Sequence, residues 1–449
     1  MILAKRLKGK AIAALLGPSG EAARKAALRI RDSVTKAAPR RLELYIDIAD
    51  PWSYLAAQAA ERLLSSYPVD FAITVITPPA SDVDPMPLLR AKHAVRDAHT
   101  LAAYWNLSFH GKREGDPGMI RDVGTSLIRT RPAREQLSAA LELLGALWDG
   151  DKKRLATLLG KWGAESHGSI APYLNGNYDQ MRKTGHYQGA MFRYDHEWYW
   201  GVDRLPYLEA ALAETTSTPV AHVLQALPEA ERGPHSLGKD PLTCELWFSF
   251  RSPYSYLALE QIEAVLAPFG VPLVLRPIAP MVTRGLAVPP VKRMYIVRDA
   301  KREANRLGIP FGTICDPLGP AIDHLLAIQH WATKRSAAAG IAFAHSATRG
   351  IWTEAKDLAE YVDLREIVER AGLPWDEAKA ALGSPEAAKA AVTAAADLAV
   401  VSLWGVPSFR IGELVTWGND RLPMIADALR RHGLARTAAA AAAAAAPTS

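Results

Sequence analysis

Apolar and polar positions alternate with a period of two over Leu42–Ile48 and again over Cys244–Phe250. That period, with its aromatic content, predicts a β-strand in each place. A proline follows shortly after each, and the apolar positions then recur at intervals of three and four: Leu55, Ala59, Leu63 and Leu64 in the first case, and Tyr256, Leu259, Ile262, Val265 and Leu266 in the second. This spacing predicts an amphipathic helix. Second strands are predicted at Phe71–Ile76 and Leu273–Ile278, so each region opens as β-α-β with a right-handed crossover. The long middle of each region lacks strand character. Ala321–Ala399, rich in Ala, Leu, Glu and Lys, has the composition of a helical insert. Strand-like segments return around Phe192–Trp200 and Phe409–Trp417, each followed by a helix opening at Asp203 or Asp420.

These parallels extend to identity. Residues 200–212 read WGVDRLPYLEAAL and residues 417–429 read WGNDRLPMIADAL, with eight of thirteen positions identical. Upstream, Asp50-Pro51-Trp52-Ser53-Tyr54-Leu55-Ala56 corresponds to Ser252-Pro253-Tyr254-Ser255-Tyr256-Leu257-Ala258. The chain therefore divides into a basic arm (1–40), a first α/β copy (41–214), a linker rich in turn-forming residues (215–241), a second copy (242–435) and an Ala-rich tail (436–449) expected to fray.

Composition narrows the function classes. The 449 residues are 49% hydrophobic and 22% charged, as in globular proteins. The net charge of +6 looks basic, but residues 1–40 hold ten Lys/Arg against Glu21 and Asp32, which leaves the rest near neutral. Without a basic surface to follow phosphates, nucleic acid is not an expected partner. Cys244 and Cys315 belong to no CxxC pair or ligand cluster, and the histidines lack metal spacing, so neither a disulfide framework nor a metal is assigned. No apolar run approaches the ~20 residues of a membrane span, and Ala11–Leu16 is short for a signal-peptide core. A soluble cytoplasmic protein is expected. In the arm, Leu3, Leu7, Ala11 and Leu15, with Ile12 and Leu16 beside them, form a short basic amphipathic pattern ended by Gly17-Pro18. It suits either contact with an anionic membrane surface or a solvated arm.

The candidate chemistry lies where the second copy's strand runs into Ser252-Pro253-Tyr254-Ser255. Ser252 falls at a helix N-terminus, where backbone N–H groups and the helix dipole favour an anion, and Pro253 fits the first turn. A plain N-cap serine remains open as a reading. Downstream, Gly405-Val406-Pro407-Ser408-Phe409 sets a proline, in a turn or a cis peptide, just before a strand.

With these segments in place, residues 242–435 resemble the DsbA-like branch of thioredoxin-fold proteins that holds 2-hydroxychromene-2-carboxylate isomerases and kappa-class glutathione transferases. The resemblance rests on Ser252-Pro253-Tyr254-Ser255-Tyr256-Leu257-Ala258, Pro-Pro-Val-Lys ending at Lys292, Gly308-Ile309-Pro310-Phe311 with Asp316-Pro317, Trp352-Thr353-Glu354, Trp404-Gly405-Val406-Pro407 and Trp417-Gly418-Asn419-Asp420-Arg421. It implies two tandem thioredoxin-like α/β domains, each with an inserted helical subdomain. It also implies glutathione as cofactor, with Ser252 stabilising the thiolate. Val406 beside a cis Pro407 would pair with glutathione's backbone, Asn419 and Asp420 would meet its γ-glutamyl end, and Lys292 would meet its glycine carboxylate. The implied activity is isomerisation or glutathione transfer on an aromatic or conjugated small molecule. A non-catalytic binding protein is the alternative, and disulfide exchange is disfavoured because serines occupy both cysteine positions.

Two departures matter. Ser249 stands where related strands carry Asp, and the first copy keeps Asp47 there but has Asp50 in place of the catalytic Ser. A carboxylate at that point repels a thiolate. The first copy also reads Gly189-Ala190-Met191 opposite Val406-Pro407-Ser408, so it is expected to be degenerate and to act as a built-in partner in an intramolecular pseudo-dimer, with Arg90 replacing Lys292. The other reading is that Asp50 and Asp47 support an activity of their own. Cys244 and Cys315 read as buried thiols, and Trp352 and Trp417 as packing residues.

Overall fold

A computed structural model of the chain describes residues 11, 13–15, 17–35, 40–239 and 241–445. Leu3, Leu7, Ile12 and Leu16 of the arm pattern and residues 446–449 of the tail lie outside the described residues. The chain forms two compact units. An N-terminal unit comprises Ala27–Arg232 with Pro289–Lys292, and a C-terminal unit comprises Met1–Ala26, Gly233–Val288 and Arg293–Ser449.

In the N-terminal unit, β1 (Leu42–Asp47), β2 (Phe71–Ile76), β3 (Met191–Tyr194) and β4 (Glu197–Trp200) form one sheet in the order β2-β1-β3-β4. β1 runs parallel to β2 and antiparallel to β3, and the helix Pro51–Ser66 makes the crossover. Helices fill the span between β2 and β3, and Leu205–Thr216 closes the unit. The C-terminal unit repeats this plan with β5 (Cys244–Phe248), β6 (Leu273–Pro277), β7 (Ser408–Ile411) and β8 (Leu414–Trp417) in the order β6-β5-β7-β8. Its crossover helix is Pro253–Leu266, and its insert carries the helices Pro320–Arg335, Ala337–Thr353, Tyr361–Arg370, Trp375–Ala380 and Pro385–Val400.

The central strands explain the architecture. All five residues of β5 are buried, more than period-two alternation implies, because a strand with parallel and antiparallel neighbours and helices packed over it has no wet face. Leu246, Phe248 and Phe250 pack into one core with Leu257, Leu259 and Ile262 of the crossover helix and Phe343 and Ile351 of the insert. Each such side chain contributes roughly 1.5–3 kcal/mol by leaving water. Strand register is reinforced by charge: Glu43 pairs with Arg193 directly across β1 and β3, and Glu245 with Arg410 across β5 and β7.

Residues 11 and 13–15 are helical and Gly17 is a bend, as the Gly17-Pro18 break predicts, and Pro18 then opens a separate helix, Pro18–Thr35, since a proline at N1 loses no hydrogen bond. Two segments differ from the sequence expectation. The helix expected at Asp420 starts at Leu422 after the 3₁₀ turn Asn419–Arg421, and its backbone runs on through the alanines to Ala445, since alanine has the highest helix propensity. The linker ends as a strap on the C-terminal unit. Leu237 is fully buried, its N–H donates to His432 Nδ1 at 3.1 Å, and its carbonyl accepts from Glu413 N at 2.9 Å. Among the described residues no helix is long and apolar enough to cross a membrane.

Gly412 holds the strap down. It has φ of +55°, and a Cβ there would lie 1.8 Å from the Leu237 carbonyl oxygen. Gly412→Ala is expected to destabilise the C-terminal unit by about 2 kcal/mol or more. Gly433→Ala, on the closing helix with open space around it, is expected to stabilise it by up to about 1 kcal/mol. Urea unfolding of the two variants checks both signs.

Candidate active site

The end of each central strand turns directly into a crossover helix, and the residue at that junction determines the local chemistry. Ser252 is the N-cap of Pro253–Leu266, with φ −97° and ψ 116°, and its Oγ accepts the Ser255 N–H at 3.1 Å. The Ser252 hydroxyl donates to the Val406 carbonyl at 3.4 Å, long for an O–H···O bond. Ser252 is only partly buried, whereas Ser255 is wholly buried and its Oγ accepts the Ser249 N–H at 3.3 Å. The two serines of the motif thus differ in role. Ser255 ties helix to strand, and Ser252 retains a weakly engaged hydroxyl at the positive end of a helix dipole.

The Val406–Pro407 peptide bond is cis, and the strand β7 follows at once. Gly405 is required beside it, because a Cβ there would meet the Trp417 ring at 2.1 Å. Trp417 tilts against Trp404 with centroids 5.0 Å apart, and Trp417 and Val406 pack on a small apolar cluster of Trp247, Ile278 and Leu398. Trp352 is buried, stacks on Phe311 at 5.6 Å and donates to the Phe250 carbonyl, which makes it a packing residue. Asn419 is 5% exposed, and its Oδ1 has no hydrogen-bond partner. Asp420 is partly buried in the same 3₁₀ turn.

Lys292 is placed differently. It belongs to the N-terminal unit, 8% exposed, with Nζ donating to the Val83 carbonyl at 2.7 Å. Burial lowers its amine to about 8, against the opposing pull of Asp84 and Asp82. The structure groups Ser252, Val406, Pro407, Asn419 and Asp420 in the C-terminal unit and leaves Lys292 out of it.

Several polar residues in and near these segments were given no site role from the sequence. Arg251 holds Asp316 in a bidentate pair at 2.7 and 2.8 Å, and the Tyr254 hydroxyl donates to buried Asp299 at 2.7 Å. Arg284, in the 3₁₀ turn Met281–Arg284, donates from Nη2 to the Trp404 carbonyl at 3.0 Å while its buried Nε has no partner. The one signal for it in the sequence is the absence of any Asp or Glu over residues 264–298. Cys244 and Cys315 are buried and form no disulfide, and burial pushes the Cys244 thiol up to about 12. No cluster of His, Cys, Asp or Glu fit to hold a metal occurs among the described residues.

The N-terminal unit fills the equivalent junction with a carboxyl of its own. Asp50 caps Pro51–Ser66, its Oδ1 accepting the Trp52 N–H at 3.0 Å, and Ser53 Oγ accepts the N–H groups of Asp47 and Ala190. Ala190 has φ of +56° and no cis bond. Asp47 and Asp50 are 1% and 3% exposed, and Asp47 Oδ2 has no hydrogen-bond partner. Burial, opposed by Arg90, raises their carboxyls to about 6 and about 7. Arg90 donates to Asp84 at 2.6 Å.

Residues 243–430 match the DSBA-like thioredoxin domain family. Among solved structures the chain is similar to a 2-hydroxychromene-2-carboxylate isomerase, at 24% identity over 44% of this chain and 98% of that one, TM-score 0.37. A probable DsbA oxidoreductase from Streptomyces coelicolor is similar at 22% identity over 43% and 90%, TM-score 0.35. The cytosolic disulfide reductase DsbM from Pseudomonas aeruginosa, solved with GSH, is similar at 15% identity over 43% and 98%, TM-score 0.31. No curated protein matches the sequence.

The raised carboxyls make stability depend on pH. A folded unit that holds protons the unfolded chain has released is most stable below the ordinary aspartate value and loses that stability as pH rises through the native values. Asp50→Asn keeps a capping oxygen and removes the charge. Relative to wild type, the variant is expected to gain melting temperature progressively from about pH 4 to pH 7, read by thermal unfolding across that range. An offset independent of pH contradicts the assignment.

Proposed function

From the premise that residues 243–430 are a DSBA-like thioredoxin domain, we propose that the C-terminal unit is a glutathione-dependent isomerase or transferase for an aromatic or conjugated electrophile, with Ser252 as the thiolate-stabilising residue. The observation that carries this reading is the long Ser252–Val406 hydrogen bond at a helix N-terminus. A hydroxyl held at 3.4 Å gives up little when it turns to a stronger acceptor, and an anionic sulfur at the end of a helix dipole is one.

The residues present fit glutathione. The orphaned, buried Asn419 Oδ1 offers an acceptor for an ammonium group, and Val406, beside the cis Pro407, offers its backbone to an extended peptide. Asp420, in the same turn as Asn419, adds negative charge at the ammonium end. When bound, glutathione supplies a thiolate that adds reversibly to a conjugated electrophile, so that the former double bond turns as a single bond before the thiol leaves again, or stays attached in a transfer. Ser252 donates its hydroxyl proton in a hydrogen bond to the sulfur while its oxygen keeps the Ser255 N–H. The partly buried Trp417 and Val406 present apolar surface suited to a flat aromatic compound. Disulfide exchange is not supported, since Ser252 and Ser255, at the motif's two positions, carry no sulfur and both cysteines are buried.

Ser252→Ala tests the reading directly. With glutathione bound, thiolate ultraviolet absorbance against pH is expected to give a thiol value in wild type below the ~8.5 of a free thiol. In Ser252→Ala it is expected to rise by about one to two pH units, the worth of one hydrogen bond to a charged group. Identical titrations in the two proteins, or no glutathione binding to wild type, contradict it.

A further inference from the structure

We infer that Arg284 is the carboxylate-binding residue of the Ser252 site, taking the ligand's terminal carboxylate, the role that the sequence reading gave to Lys292. This rests on the glutathione reading above.

The cations of the C-terminal unit near the motif segments are mostly satisfied. Arg251 is engaged by Asp316 through two hydrogen bonds, Arg276 by Glu245, and the Lys301 amine by the Phe311 carbonyl. Arg284 differs from these. It forms no ion pair among the described residues, burial lowers its guanidinium with no carboxylate acting against that, and its Nε is buried without a partner. A guanidinium taken out of water without an anion is unfavourable, and the deficit is relieved when a carboxylate arrives. The planar fork of arginine also suits a carboxylate in bidentate fashion.

Position gives the second half of the case. Arg284 Nη2 is fixed on the Trp404 carbonyl, and the Ser252 hydroxyl on the carbonyl of Val406, two residues further along. Two residues span at most ~7 Å, so the guanidinium and the hydroxyl stand at neighbouring points on one short stretch of backbone. A peptide that places its thiol at Ser252 and lies along Val406 can direct one end to Asn419 and Asp420, beyond β8, and the other towards Trp404. Arg284 meets that second end. Its cation complements a carboxylate, as the carboxylate of Asp420 and the free oxygen of Asn419 complement an ammonium group at the first.

The test compares glutathione with its glycine-carboxamide form by calorimetric titration into wild type, Arg284→Met and Arg284→Lys, each checked for folding by circular dichroism. Wild type is expected to prefer the acid over the amide by about tenfold or more, Arg284→Lys to keep part of that preference, and Arg284→Met to bind both forms alike. The preference is a ratio within one protein, so a general loosening of the loop that Arg284 anchors does not imitate its loss. If wild type binds both forms equally, or Arg284→Met keeps the preference, the assignment of Arg284 is overturned and the glutathione reading stands. If wild type binds neither, the glutathione reading falls, and this inference falls with it.

Discussion

Both units depend on the same constraint: a central strand ends where a helix begins, and the helix N-terminus at that junction needs an acceptor. The dipole and the first backbone N–H groups favour negative charge there. The N-terminal unit answers with a buried carboxyl, Asp50, while the C-terminal unit answers with a neutral hydroxyl, Ser252. A carboxylate closes the position to a thiolate, whereas a hydroxyl satisfies the cap and leaves the electrostatic demand available to a ligand. The proposed function therefore falls to one unit, although both sheets have the same strand order.

Much of the rest maintains this junction. Ser53 and Ser255 lie three residues beyond it and bind strand backbone through buried hydroxyls. The loop ahead of β7 brings Val406 to Ser252, and the fit of Gly405 under Trp417 fixes that loop. In the N-terminal unit the equivalent loop reaches Ser53 through Ala190 in a left-handed conformation, and Asp47 and Asp50 lie buried with Arg90 and Asp84 acting on them. Two buried carboxyls three residues apart favour holding protons, so this unit stores its negative charge at a cost in stability above acid pH.

The parts of this arrangement that were legible in the sequence are the local ones. Period-two strands, the change to helical spacing after Pro51 and Pro253, and the serine at an N-cap follow from rules acting over a few residues. The cis Val406–Pro407 bond also coincides with a proline that the pattern singled out. Long-range placement was not legible. Nothing in the spacing of Lys292 shows that its amine meets the Val83 carbonyl, 209 residues away in sequence, because such a pairing is decided by tertiary packing. The role proposed for Arg284 rests likewise on tertiary contacts, since its acid-free neighbourhood in sequence does not show that it meets the Trp404 carbonyl with no ion pair among the described residues. The tail was not legible for a different reason: a run of alanines suggests fraying, whereas alanine's helix propensity carries the backbone of the closing helix to Ala445.

The most direct test is a crystal structure of the protein soaked with glutathione. The account predicts the sulfur within hydrogen-bonding distance of Ser252 Oγ, with the Ser252–Val406 bond released and the peptide backbone paired at Val406. A glutathione sulfur lying against the N-terminal unit's Asp50 junction, or bound with its thiol away from Ser252, contradicts it.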